Sequence, residues 1–222
     1  MIFSRARNTF ATRFTVNGKH LERTKGIKIL GMWLQEDAGW QTNTQQLCKK
    51  AYIRVGMLTK LRYAGVQVED LITIYKTFIR STLEYNSVVF HSSLTTLQEE
   101  SLERCQSVCL KVILQESFVS YSAALEMLGL KTLKDRRQER CIQFSKKSVK
   151  HKTNMRMFPV NPGLNGQIQV RAREKYKVNF AHTTAYKNST IPYCQRLLNR
   201  IEEEKEEKGR GGGGDGRGGE EG

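Results

Sequence analysis

The chain has 222 residues, 37 Lys plus Arg against 22 Asp plus Glu, a formal net charge of +15 and 38% hydrophobic residues, enough length for one domain with appendages. No stretch approaches the ~18 consecutive apolar residues of a membrane span, no charged-then-apolar leader opens the sequence, and the five cysteines Cys48, Cys105, Cys109, Cys141 and Cys194 include no Cys-x-x-Cys pair. Reduced thiols in an intracellular protein, nuclear or cytoplasmic and not secreted, fit that pattern better than a disulfide framework.

Charge is unevenly spread. Residues 202–222 hold nine of the glycines, eight acidic and four basic residues and no apolar side chain, so this tail is expected to be disordered. The preceding 201 residues then carry 33 basic and 14 acidic side chains, and a body so basic expects a polyanionic partner.

In chain order, Asn17-Gly18 is a hairpin signal, because both positions tolerate positive φ, and predicts a hairpin over 12–24. Gly26 opens Ile27 to Leu34, an alternating β-rich run that reads as one strand ending in a turn at Gln35-Glu36-Asp37. From Thr42 to Arg62 the period becomes helical, with Leu47, Ala51, Val55 and Leu58 on one side and Lys49 and Lys60 pointing away. A helix over 68–86 carries Leu71, Ile74, Tyr75, Phe78, Ile79 and Leu83, apolar enough to be largely buried.

Thr95 with Gln98 forms a capping box, and the helix that follows shows a stripe of Leu97, Ser101, Cys105, Val108, Cys109 and Val112. A short helix over 120–128 stops at Gly129. Thr132 and Asp135 cap the next, which runs to Lys150 with Leu133, Cys141, Phe144 and Val149 on one side. Its other side presents Arg136, Arg140, Gln143, Lys147 and Lys150, a basic stripe at helical spacing. Pro159, Pro162, Gly163 and Gly166 mark an irregular connection, followed by extended pieces near 168–171 and 176–180 and a last helix from Pro192 to Glu206. The fold class is mainly α, a helical bundle with a small N-terminal β piece.

Candidate chemistry is sparse. Cys105 and Cys109, four apart on a helix, could offer two thiolates to zinc with Cys141 or His151, but both lie in the apolar stripe, where cysteine packs as a small hydrophobe. His20, His91, His151 and His182 stand in no recognised catalytic spacing, and Glu36-Asp37 reads as a solvated turn. Gly211 to Gly214 is low complexity, with no strand before it and no helix after it as a phosphate loop requires. The basic surface is the stronger candidate. Residues 41–62 hold Lys49, Lys50, Arg54, Lys60 and Arg62 with no acidic residue, and residues 131–156 hold ten basic residues against two acidic.

Several segments in order resemble the end of the palm and the thumb of reverse transcriptases from jockey-like non-long-terminal-repeat retrotransposons. They are Ile29-Leu30-Gly31 with Trp40, Leu47-Cys48-Lys49-Lys50 with Leu58 and Leu61-Arg62, Ile74-Tyr75 through Phe78-Ile79-Arg80-Ser81 to Leu83-Glu84-Tyr85, Leu102-Glu103-Arg104 with Gln106, Leu128 to Leu133 with Arg136-Arg137, and Ser189 to Tyr193 with Arg196 to Asn199. The resemblance spans roughly residues 1–199. It departs at Trp40-Gln41-Thr42-Asn43-Thr44, where the family usually shows His-Ile at the last two places.

The resemblance implies a palm-edge remnant over 1–38, a helical thumb over 39–157, a C-terminal extension over 158–201 and the tail over 202–222. It further implies that Lys49, Lys50, Arg54, Lys60, Arg62, Arg136, Arg140, Lys147 and Lys150 meet nucleic-acid phosphates. Ile29, Leu30 and Gly31 would stand at the primer grip, where Gly31 lets backbone approach a ribose.

Polymerisation needs paired aspartates holding two magnesium ions, whereas Asp37, Asp70, Asp135 and Asp215 lie far apart in the sequence and none sits in an aromatic-x-Asp-Asp turn. The chain is therefore expected to be a fragment that binds template and primer (RNA, DNA or their hybrid) without chemistry or cofactor of its own, the magnesium belonging to the absent part of the palm. The alternative is a stand-alone basic helical module that binds nucleic acid or protein. Ile27 to Leu34 is expected to pack on the first helix while leaving an aggregation-prone edge.

Overall fold

The computed structural model describes residues 14–22, 24–161 and 174–211, with side chains of the last helix through Glu207. The extended piece expected near 168–171, and Pro162, Gly163 and Gly166, lie outside the described residues. The fold is mainly helical with two small antiparallel hairpins near the N-terminus. By contact the chain divides at Gln138/Glu139 into two compact units, whereas the expected boundaries stood after residues 38, 157 and 201.

In the first unit, β1 (Thr15–Val16) and β2 (Lys19–His20) pair through the turn Asn17-Gly18, both at positive φ, as that dipeptide dictates. The run expected to be one strand folds back on itself instead. β3 (Gly26–Ile29) pairs with β4 (Met32–Gln35), Ile29 opposite Met32, and Leu30-Gly31 make the turn at φ +48° and +82°. Alternation continues through the turn, so period alone cannot separate one strand from two. Only Gly31 hints at the reversal. β4 buries Met32 and seats on α1 (Gln41–Tyr63): Trp33 N donates to Asn43 Oδ1 at 3.2 Å, and Thr42 N to Gln35 Oε1 at 2.7 Å. Asn43, one of the residues that depart from the resembled family, is thus buried as the hairpin's anchor.

α1 buries Leu47, Ala51, Val55 and Leu58 as its period predicts, and Trp40 at its start packs on Phe90 with ring centroids 6.0 Å apart. The helix over 68–83 is not uniform. α2 (Val68–Ile74) widens into a π-helix over Tyr75–Arg80 before returning to α3 (Ser81–Leu83). Its fully buried residues, Leu71, Tyr75, Ile79 and Leu83, recur every four positions. In an α-helix that spacing drifts about 40° per step, and the wider π turn takes up the drift. Phe78, expected in the core, is left outside at 56% exposure.

α4 (Ser87–Phe90) follows the left-handed Asn86. α5 (Thr96–Leu114) opens with the expected capping box, Gln98 N donating to Thr95 Oγ1 at 3.4 Å and Thr95 N to Gln98 Oε1 at 3.0 Å. Its buried face is Leu102, Cys105, Gln106, Cys109, Leu110 and Ile113, rotated from the predicted stripe. Leu97 and Ser101 are exposed, because the choice between two apolar meridians was settled by which one faced α1 and α2. Gln106 is buried but satisfied: it accepts from Tyr75 Oη at 2.6 Å and donates to Lys131 O at 3.0 Å. α6 (Tyr121–Met127) ends as expected at Gly129, φ +59°.

α7 (Leu133–Lys150) starts at the predicted Thr132 cap, whose hydroxyl accepts from Asp135 N at 3.0 Å. Glu103 of α5 completes this start. Its carboxylate accepts from Leu133 N at 3.1 Å, Lys134 N at 2.7 Å and Tyr121 Oη at 2.5 Å, and faces Arg137 Nη2 at 3.8 Å. Arg137 is fully buried.

The second unit takes the rest of α7, a 3₁₀ turn over Asn154–Met157, α8 (Thr184–Lys187) and α9 (Thr190–Gly211), with Val160 bridged antiparallel to Tyr176. The piece expected to be extended at 176–180 forms no strand beyond the Tyr176 bridge, and polar side chains of α9 hold it. Asn199 accepts from Tyr176 N at 2.8 Å and returns a bond to Tyr176 O at 2.9 Å, while Gln195 accepts from Asn179 N at 3.0 Å and donates to Met157 O at 2.7 Å. α9 begins two residues before Pro192, which sits in the first turn where no intrahelical N–H is needed. It also runs on to Gly211, into the segment expected to be disordered, with Glu202 accepting from Lys175 at 3.0 Å and Lys205 at 2.7 Å. Residues 212–222 lie outside the described residues.

Among the described residues no single helix is long and apolar enough to cross a membrane.

Two stability predictions follow from the first unit. Glu103→Ala removes two backbone caps and leaves the Arg137 guanidinium buried without its nearest carboxylate. It should cost about 3–5 kcal/mol in urea unfolding. Burial of His91, with the Arg137 charge nearby, lowers its pKa from 6.5 to about 4. The unfolded chain binds this proton first, so His91 weakens the fold as pH falls from about 6.5 to about 4, by ~3 kcal/mol in all, and has no such effect above that window. His91→Gln should flatten that part of the stability profile.

Candidate nucleic-acid interface

α1 carries the predicted cations outside the buried side formed by Asn43, Thr44, Leu47, Ala51, Val55 and Leu58. Lys49, Lys50 and Lys60 are exposed, and Arg54 and Arg62 are half-buried. Lys49 and Lys50, adjacent in sequence and about 100° apart on the helix, border different grooves. Lys49 lies with Gln45, Tyr52 and Arg104 in a cavity of about 420 Å³ between α1 and α5. Lys50 lies with Arg54, Gly31, Phe78 and Tyr85 in a cleft of about 510 Å³ between α1, the π-helix and the tip of the β3–β4 hairpin.

That cleft joins two sets of residues that the sequence proposed separately, the basic helix and the primer-grip-like segment. The hairpin tip is held there by Tyr85, whose hydroxyl donates to Leu30 O at 2.9 Å. A Cβ on Gly31 would come within 3.2 Å of the Tyr85 ring, so the close approach expected of this glycine is to a tyrosine of the chain itself. Ile29 is half exposed and Leu30 is 84% exposed at the tip. A leucine at φ +48° is strained, since its Cβ crowds its own backbone there.

Arg54 is partly committed inward, its guanidinium donating to Phe78 O and Thr82 Oγ1 across to the π-helix and α3. Arg136 is committed further. It grips Glu84, which is 1% exposed, with both Nε and Nη2, the latter at 3.1 Å. The expected phosphate contact from Arg136 is therefore replaced by an internal ion pair, because a carboxylate buried at Glu84 requires a partner. Arg140, Lys147 and Lys150 are exposed on the part of α7 that belongs to the second unit.

Phe78, Tyr85 and Arg104 were not singled out by sequence as site residues. The four-residue recurrence of Leu71, Tyr75, Ile79 and Leu83 was the available signal that Phe78 faces out.

The thiols behave as core groups. Cys105 and Cys109 sit in the first unit's apolar cluster, and burial pushes the Cys109 thiol up to about 12. Cys48 lies beside Cys105, and the contact between the two thiols raises Cys48 and lowers Cys105. Glu36-Asp37 form a turn in which Asp37 Oδ1 accepts from Gly39 N at 2.8 Å.

Gly31→Ala should cost about 1–3 kcal/mol of hairpin stability through the positive φ and the Tyr85 ring. Hydrogen exchange should show amides of 26–35 losing protection while α1 and α5 keep theirs.

Comparison of the chain with protein-family models, with curated proteins and with solved structures finds no match in any of the three.

Proposed function

We propose that the first unit holds nucleic acid by its phosphates along α1 and the hairpin tip, as the thumb and adjoining palm edge of a jockey-like retrotransposon reverse transcriptase hold template and primer. One observation carries the reading: a single cleft gathers Gly31 of the primer-grip-like turn with Lys50 and Arg54 of the basic helix. The strained, exposed Leu30 supports it, because strain at an exposed tip is maintained here by the Tyr85 hydrogen bond rather than relieved.

Lys49 and Lys50 supply the phosphate contacts on either flank of α1. Arg54 holds the π-helix and lends its charge to the cleft. Arg140, Lys147 and Lys150 add basic surface on the second unit. The chain binds in this reading and does no chemistry, since two-metal phosphoryl transfer requires paired carboxylates and its four aspartates are widely separated in sequence. Stand-alone nucleic-acid binding is the second reading, favoured by a hydrophobic core that closes within residues 47–133.

Binding to a labelled RNA–DNA hybrid, followed by fluorescence anisotropy across salt concentrations, tests the proposal. Wild type should show log affinity falling linearly with log salt. Lys49→Ala/Lys50→Ala should bind more weakly with a slope shallower by about 2, one unit per phosphate contact removed. Equal slopes and affinities for the two proteins would refute the assignment of α1 as the phosphate-binding element.

A further inference from the structure

Phosphate contacts do not account for the aromatic floor of the cleft. The π-helix turns Phe78 out of the core into the cleft, leaving the residue 56% exposed in the cleft that Tyr85, itself 47% exposed, also lines. π turns of this kind recur at functional positions, because they cost backbone regularity to re-aim one side chain. The hydroxyls around the ring are also organised. Thr77 donates to Thr73 O at 2.8 Å, Thr82 to Phe78 O at 3.0 Å, and Ser81 to Thr77 O. With their protons spent on the helix, the Thr77 and Ser81 oxygens retain lone pairs for an incoming donor, whereas Thr82 Oγ1 already accepts from Arg54.

We propose that this cleft seats one unpaired nucleobase, stacked on the Phe78 ring, with an adjoining phosphate at Lys50 and the base's exocyclic amine against the Thr77 or Ser81 oxygens. The inference rests on the phosphate-binding reading and adds the strandedness of the ligand. Charge decides the class of occupant: the cleft is lined by Lys50 and Arg54 and by no acidic side chain, which suits a polyanion. Its volume of about 510 Å³ falls in the range of sites that enclose small ligands.

A base inside a duplex has both faces covered by its neighbours, so only an unpaired one, at an overhang, a bulge or in a single strand, can lie on an aromatic ring. RNA and DNA strands share this chemistry, and the 2′-hydroxyl is the only feature that would separate them.

The test uses the full chain and short single strands of RNA and of DNA carrying 2-aminopurine, beside a blunt RNA–DNA hybrid. Wild type should quench 2-aminopurine in the single strands. Phe78→Ala should abolish the quenching and weaken single-strand binding by roughly five-fold or more, the loss of one stacked base, while hybrid affinity falls by clearly less. Phe78→Leu, which keeps apolar bulk without a ring, should behave as the alanine variant does, and Phe78→Trp should restore both signals. Because Phe78 lies outside the core, all three should melt as wild type does.

Single-strand binding and quenching that survive Phe78→Ala, with Lys49→Ala/Lys50→Ala still weakened, would overturn the base seat and leave the phosphate reading standing. Equal losses on single strand and hybrid would also overturn it, since stacking on Phe78 would then not distinguish unpaired bases. Failure of wild type to bind either ligand would overturn both. Preference for RNA over DNA, or its absence, would identify which strand the seat takes.

Discussion

The carboxylate of Glu103 is the point from which the order of the first unit extends. It caps two backbone amides at the start of α7, receives the Tyr121 hydroxyl from α6 and faces the buried Arg137. A guanidinium at zero exposure is tolerated only where negative charge is close, and Glu103 is the partner the fold provides at 3.8 Å. Fixing the start of α7 places Arg136 against Glu84, at the end of the helix that contains the π turn. The next residue, Tyr85, reaches the hairpin and sets the position of Leu30. A half-buried carboxylate in α5 is thus linked, through one helix start and one ion pair, to the geometry of an exposed turn far away in sequence.

The candidate interface depends on that chain of contacts more than on net charge. A basic helix alone would give a diffuse attraction for any polyanion. What makes a cleft is the combination of α1, a hairpin tip strained at Leu30, and a π turn that ejects Phe78. Two of the cations that charge counting would spend on a ligand are used by the protein instead, Arg136 on Glu84 and Arg54 partly on the Phe78 carbonyl. Lysines, with compact and strongly hydrated charges on flexible stems, remain at the surface, while the forked guanidiniums of Arg54 and Arg136 take inward roles.

Residues far apart in the chain meet at the candidate interface. The sequence pointed to Ile29-Leu30-Gly31 and to Lys49-Lys50 by order along the chain, and the fold brings Gly31 and Lys50 to one cleft. Asn43 is buried, and its Oδ1 takes the Trp33 amide that would otherwise lack a partner at the sheet edge.

Local chemistry was enough to fix much of this protein. The Asn17-Gly18 turn, the Thr95–Gln98 capping box, the Gly129 stop, the Thr132 cap and the apolar meridian of α1 are each set by residues within a turn or two of one another, so the sequence determined them directly. It also determined the mainly helical class and the basic character of the body.

Tertiary structure alone decided whatever depended on two elements competing for one surface. Alternation from Ile27 to Leu34 permits one strand or two, and the seat on α1 selected the hairpin. α5 carries two plausible apolar meridians, and contact with α1 and α2 selected the one through Leu102 and Gln106. Phe78 and Arg136 look alike to a periodicity count and to a charge count, yet one was expelled by a widened turn and the other drawn in by Glu84. The physical reason is common to all of these: burial and pairing are properties of what lies opposite, and no local pattern contains its partner.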